Sequence, residues 1–112
     1  MTLEGRVAIV TGSAGGLGRS HVRYLARKGA RVVVNDLSQD AVDSVAREIT
    51  DAGGEALAIA GSVTDDRAMT AMVARVVEQW GRVDILVNNA GILRDKSFGK
   101  MSLDDFRLVV DV

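Results

Sequence analysis

The feature that most narrows what this chain can fold into is Thr11-Gly12-Ser13-Ala14-Gly15-Gly16-Leu17-Gly18. The apolar run Val7-Ala8-Ile9-Val10 precedes it, and the helical pattern Leu17, Val22, Leu25, Ala26 follows it. A strand that turns through glycines into a helix directs the helix's unpaired first N–H groups, and the positive end of its dipole, at whatever lies beyond the turn. A phosphate suits that place. Spacing then separates the candidates. A P-loop needs Gly, four residues, then Gly-Lys-Ser/Thr; here Ser13 stands five positions before Gly18, and Arg19 follows it. The dinucleotide pattern G-x-G-x-x-G needs glycine at position 21, which is His21. What remains is T-G-x-x-x-G-x-G. An ordinary tight turn has no need of so many glycines, each of which adds to the entropy cost of folding.

The rest of the chain alternates strand and helix. Strand one is expected over 6–11, an unbroken apolar run suited to a parallel sheet covered on both faces. Helix one runs from about Gly16 to Lys28 and stops at Gly29. Strand two covers 31–36; Ser38 then caps helix two, whose Ala41, Val42, Val45, Ala46 and Ile49 form one stripe before Gly53-Gly54. Strand three covers 56–61. Asp65 caps helix three, with Met69, Met72, Val73, Val76 and Trp80 at helical spacing and Gly81 after it, and strand four covers 83–88. A fourth helix is expected from about Ser102, where Ser102 and Asp105 have capping-box spacing, through Phe106, Val109 and Val110 to Val112. Alternating βαβ units imply right-handed crossovers and a Rossmann-type doubly wound parallel sheet, order 3-2-1-4. Ligands bind such sheets where the order reverses, between strands one and four. Residues 1–112 are read as the N-terminal portion of one such domain, ending before the later strands.

Asp36 is the most informative charge. It closes strand two, 18 residues after Gly18, near the offset at which an acidic group meets the ribose of a bound dinucleotide. A carboxylate there accepts from the ribose hydroxyls and repels a 2′-phosphate, and Leu37 supplies no positive charge to offset it. The expected cofactor is therefore NAD.

Composition narrows the rest. Fourteen Lys and Arg against 15 Asp and Glu leave no basic footprint for a nucleic acid. Cysteine is absent and His21 is the sole histidine, which argues against a metal centre; His21 is expected on the exposed side of helix one. No apolar run approaches the ~20 residues of a membrane span, and Met1-Thr2-Leu3-Glu4-Gly5 has no signal-peptide pattern. These features lead to the expectation of a soluble cytoplasmic protein without nucleic-acid or membrane partners.

The glycine motif together with Asn88-Asn89-Ala90-Gly91 resembles the short-chain dehydrogenase/reductase family over the whole chain. The stretches Gly15-Gly16-Leu17-Gly18-Arg19, Val34-Asn35-Asp36-Leu37 and 88–98 are similar to its hydroxyacyl-CoA dehydrogenase-like branch in multifunctional β-oxidation enzymes. The resemblance implies hydride transfer between NAD and a secondary alcohol, with a 3-hydroxyacyl-CoA as candidate substrate. It implies cofactor contacts at Gly12, Ser13, Gly16, Leu17, Gly18, Asp36, Leu37, Ser62, Val63, Asn88, Ala90 and Gly91. Ser62 stands where family members usually carry an Asp beside the adenine, so its contact brings no charge. The family's catalytic tyrosine and lysine, four residues apart, fall beyond Val112, so no catalytic residue is assigned here. Tyr24 and Lys28 share that spacing but lie on helix one. The resemblance also implies a homo-oligomer with helix four at its interface. The alternative is a nucleotide-binding or interaction fragment with no chemistry of its own.

Overall fold

The computed structural model of the protein describes residues 2–89 and 107–110. Five strands, β1 (Val7–Thr11), β2 (Arg31–Asp36), β3 (Ala56–Ala60), β4 (Ile85–Asn88) and β5 (Arg107–Val110), form one sheet of order β3-β2-β1-β4-β5. Every neighbouring pair is parallel, with Ile9 level with Val33 on one side and Leu86 on the other. Three helices, α1 (Gly16–Arg27), α2 (Gln39–Asp51) and α3 (Asp66–Trp80), connect the first four strands.

The two-residue period of the strands builds two cores. Val7, Ile9, Val33 and Leu86 point to one face and pack with Met69, Met72, Val73 and Val76 of α3. Ala8, Val10, Val32, Val34 and Val87 point to the other and pack with Val22 of α1 and Val42, Val45 and Ile49 of α2. Each large apolar side chain buried this way stabilises the fold by roughly 1.5–3 kcal/mol before conformational entropy is counted. Because β1 is covered on both faces, all five of its residues are buried, as its unbroken apolar run anticipates. Trp80 packs at the margin of the α3 core.

The helix boundaries follow local chemistry. The Ser38 hydroxyl accepts from the Ala41 N–H at 3.3 Å, and the Asp65 carboxylate accepts from the N–H groups of Arg67 and Ala68 at 3.0 and 3.1 Å. Gly81 ends α3 at φ +79°, a left-handed position that glycine takes without steric cost. His21 is half-buried rather than exposed. Among the described residues no helix is long and apolar enough to cross a membrane.

The fourth helix is a correction. Residues 107–110 form strand β5, pairing Leu108 with Leu86 and Val109 with Val87 along the open side of β4. A short apolar run reads equally as strand or helix, and the β-branched Val109 and Val110 favour the strand. The backbone groups at β4's edge also need partners, which β5 supplies. Val109 and Val110 therefore belong to the sheet and not to a helical subunit interface; Ser102, Asp105 and Phe106 lie outside the described residues.

At the amino-terminal end of the strands, Asp84, just before β4, clamps the start of β1. Its carboxylate, 5% exposed, accepts from the Val7 N–H at 2.8 Å and from Arg82 Nε at 2.8 Å, with Arg6 3.6 Å away. Burial pushes its pKa up, but the hydrogen bonds from Arg82 and Val7 and the charges of Arg82 and Arg6 outweigh that, holding the carboxyl below its ordinary range.

Candidate functional site

The carboxyl ends of β1, β2, β3 and β4 converge on one edge of the sheet, and nearly all of the sequence-predicted site residues that are described lie along it. The glycine turn is at its centre. Gly12 leaves β1 at φ +62° and Gly16 enters α1 at φ +55°, conformations that L side chains seldom adopt. Gly15 is the N-cap of α1 and is extended. A Cβ added at Gly18 would sit 2.0 Å from the Gly12 carbonyl oxygen, so only glycine lets the helix approach the turn this closely. Around Gly15 and Gly16 the reverse holds: an added Cβ meets nothing within 4 Å, which leaves space beside the helix end.

The end of α1 differs from those of its neighbours. α2 and α3 satisfy their first N–H groups with Ser38 and Asp65 and carry an acid, Asp40 or Asp66, in the first turn. α1 has no side-chain cap and no acid in its first turn. Its first amides and dipole are left to attract an anion from outside. Arg19 in that turn is bound through its guanidinium to both carboxylate oxygens of Glu48 on α2, a hydrogen-bonded pair that lowers the Glu48 pKa.

Asp36 stands beside this turn at the end of β2. Its carboxylate accepts from the Ala14 N–H at 3.1 Å and from the Leu37 N–H at 2.9 Å. The leucines flanking the opening are exposed, Leu17 by 63% and Leu37 by 73%. Two apolar side chains in solvent beside an uncapped helix end suit the flat faces of a nucleotide better than they suit water.

Further along the edge, the Ser62 hydroxyl is engaged in its own turn, 2.8 Å from the Thr64 hydroxyl and accepting from the Thr64 N–H at 3.2 Å. Val63 is 8% exposed with its side chain in the α3 core, so only its backbone can face a ligand. Asn88 is buried at the end of β4, where its Oδ1 accepts from the Thr11 hydroxyl at 3.0 Å; that hydroxyl accepts in turn from the Asn89 N–H at 3.1 Å. Ala90 and Gly91 lie outside the described residues.

Ser13 is placed differently from the others. It is fully buried, its hydroxyl donating to the Val10 carbonyl at 2.7 Å and accepting from the Asn35 N–H at 3.0 Å. Its side chain thus braces the turn from within. Sequence reasoning also passed over Thr11 and Asn35, the polar partners that lock strand ends together. Their signal is a polar residue closing an apolar strand, Thr11 after Val10 and Asn35 after Val34.

A parallel sheet of order 3-2-1-4 with a glycine turn feeding an open helix end, and a carboxylate one strand away, defines a Rossmann-type dinucleotide-binding domain. The family model for short chain dehydrogenases matches residues 6–112, and the chain belongs to that family of oxidoreductases. The chain is 50% identical to a peroxisomal multifunctional enzyme type 2 of Drosophila melanogaster, over 97% of its own length and 19% of the relative's. It is 43% identical to a hydroxyacyl-CoA dehydrogenase of Mycobacterium tuberculosis, over 98% of its own length and 36% of the relative's. A metagenomic short-chain oxidoreductase solved in complex with NADP superimposes with a TM-score of 0.76 at 41% identity, covering 82% of this chain and 42% of that one. The chain therefore spans less than half the length of these relatives. The peroxisomal relative corrects the cytoplasmic location expected from the sequence. The absence of cysteine and of a signal-peptide pattern does not distinguish one reducing compartment from another.

Proposed function

We propose that this chain carries the cofactor-binding half of an NAD-dependent short-chain dehydrogenase acting on a secondary alcohol of the 3-hydroxyacyl-CoA class. The observation that carries the cofactor choice is the Asp36 carboxylate beside the glycine turn, followed by the exposed and uncharged Leu37. The amides of Gly16, Leu17 and Gly18 would hold a dinucleotide's pyrophosphate, and the Asp36 carboxylate would accept from the adenosine ribose hydroxyls of NAD and oppose the 2′-phosphate of NADP. Ser62 and the Val63 backbone would border the adenine and Asn88 the cofactor beyond the phosphates; Ala90 and Gly91, which the family resemblance adds to this set, lie outside the described residues. The residues fit such a group, since the space at Gly15 and Gly16 is open and the Gly18 contact keeps helix and turn together. The bound cofactor supplies the hydride acceptor; the residues of this chain bind and orient it.

The substrate class rests on the names of the multifunctional and hydroxyacyl-CoA relatives. The position of Arg94 and Lys96, candidates for meeting an anionic substrate, lies outside the described residues. The tyrosine and lysine that act at the reacting hydroxyl in the family have no counterpart at the site. Tyr24 is on α1 and Lys28 is that helix's C-cap, with the ammonium 5.5 Å from the ring centroid, and Tyr24 is half exposed. These 112 residues by themselves are accordingly proposed to bind nucleotide without turnover.

Titration of the full-length protein with NAD and NADP tests the cofactor choice. A charge contact of this kind contributes roughly 1.5–3 kcal/mol, so NAD should bind at least about tenfold more tightly, and Asp36→Ala should erase the difference. Equal affinities in the parent protein would refute the assignment. Turnover of a hydroxyacyl-CoA by the isolated 112 residues would refute the division of labour.

A further inference from the structure

The ends of β1, β2 and β3 are joined through one residue to which the proposed function gives no part, its main chain bonded to Ser13 and its side-chain amide to β3 and the turn after it. Asn35 is 1% exposed. Its carbonyl accepts from the Ser13 N–H at 2.9 Å, and its N–H donates to the Ser13 hydroxyl at 3.0 Å. On its other side, the Asn35 amide Nδ2 donates to the Ile59 carbonyl at 2.9 Å and to the Gly61 carbonyl at 3.3 Å. Asp36 repeats the connection one residue later: its carbonyl accepts from the Gly61 N–H at 2.9 Å and its carboxylate from the Ala14 N–H at 3.1 Å. The glycine turn and the turn after β3, which leave different strands, are thus tied to the same two residues of β2.

Sheet formation alone does not require an amide at position 35. Val32, Val33 and Val34 show what this strand buries elsewhere, and a fourth valine would continue the pattern. Asn35 also leaves its Oδ1 buried without a hydrogen-bond partner, a cost that an apolar residue avoids. One of the amide's two donated bonds reaches past the end of β3 to the loop carbonyl of Gly61, so what it fixes there is the place of the loop.

We infer that Asn35 is a positioning residue for the adenosine half of the cofactor. Its side-chain amide, through Gly61, sets the turn carrying Ser62 and Val63, while the Ser13 hydroxyl, bonded to the Asn35 main chain, sets the glycine turn relative to Asp36. The inference rests on the nucleotide reading of this edge. It assigns Ser13 to the brace and not to ligand contact, because the Ser13 side chain is buried and already both donates and accepts. Preorganised loops bind more tightly because less order is lost on association.

The test uses the full-length protein, with ADP-ribose as the calorimetric probe and a 3-hydroxyacyl-CoA for kinetics. Losing one such buried hydrogen-bonded anchor corresponds to about a tenfold change. Asn35→Ala should raise the ADP-ribose Kd and the NAD KM by about that factor, while kcat at saturating NAD stays within about twofold. Ser13→Ala should shift Kd in the same direction, and Ser13→Thr, which keeps the hydroxyl, should restore it. Circular dichroism establishes that each variant is folded; if Asn35→Ala is not, Asn35→Ser replaces it. An unchanged ADP-ribose Kd in folded Asn35 and Ser13 variants overturns the inference, as does a kcat that falls in step with affinity. Failure of the parent protein to bind ADP-ribose overturns the nucleotide reading itself, whereas tight parent binding with insensitive variants overturns the brace alone.

Discussion

Replacing Gly18 with alanine should damage this domain in two measurable ways. The new methyl would lie 2.0 Å from the Gly12 oxygen, 2.8 Å from the Gly12 carbonyl carbon and 3.0 Å from the Ser13 Cα. All three are backbone atoms, so no flexible side chain can swing aside. Carbon–oxygen contacts settle near 3.3–3.6 Å, so turn and helix must part by more than about 1 Å. Overpacking on this scale costs at the upper end of the usual range, about 3 kcal/mol, or a fall in Tm of roughly 10–20 °C for a domain of this size. The displaced segment is also the proposed phosphate cradle, so ADP-ribose affinity should fall by at least about tenfold, the equivalent of 1.4 kcal/mol. Gly53→Ala is the control: φ is +94° there, but an added Cβ meets nothing within 4 Å. Left-handed strain alone costs about 1–2 kcal/mol, and it lies far from the turn. Thermal unfolding and calorimetry on the two variants separate the effects. A Gly18→Ala protein as stable as Gly53→Ala, binding ADP-ribose like the parent, would refute the close-approach argument.

Further outcomes follow from the same structure. The folded pKa of Asp84 is depressed, so its stabilisation is present above the unfolded carboxylate value, near 3.9, and is lost as pH falls through the folded value. Asp84→Asn should therefore cost about 1.5–3 kcal/mol at pH 7, and the gap from the parent should close below about pH 4 in denaturant titrations; a pH-independent gap would contradict the clamp. Leu86→Ala, at a fully buried site between both strand neighbours, should lose about 2–5 kcal/mol, read as a lower urea midpoint with unchanged slope. Leu37→Ala, 73% exposed, should leave stability within about 0.5 kcal/mol of the parent.

Much of this architecture is legible from the sequence because local and long-range signals agree. The run Val7 to Val10 can be satisfied only where both faces of a strand are covered, and β1 is the central strand of the described sheet. Ser38, Asp65 and Gly81 mark helix ends through side-chain chemistry or backbone freedom that needs no tertiary context. The β5 segment is different. Its four residues carry no period long enough to separate strand from helix, and what decides is the open edge of β4, a partner some twenty residues away in sequence. The site shows the same division. Gly18 and Asp36 are readable from spacing, since their geometry follows from the strand–turn–helix unit. Ser13 and Asn35 are not, because their role depends on which carbonyls of β1 and β3 come within reach once three strands are aligned.

The central claim is that the uncapped start of α1 and the end of β2 hold a dinucleotide. Amide chemical-shift mapping of the isotopically labelled full-length protein during an ADP-ribose titration tests it most directly. The largest saturable shifts should fall on Gly15, Gly16 and Leu17, on Asp36 and Leu37, and on Ser62 and Val63. The shallow cleft between α1 and α2 at Arg23, Arg27 and Ala52 should stay unshifted. Shifts concentrated at that arginine cleft, or none at the glycine turn at saturating ligand, would contradict it.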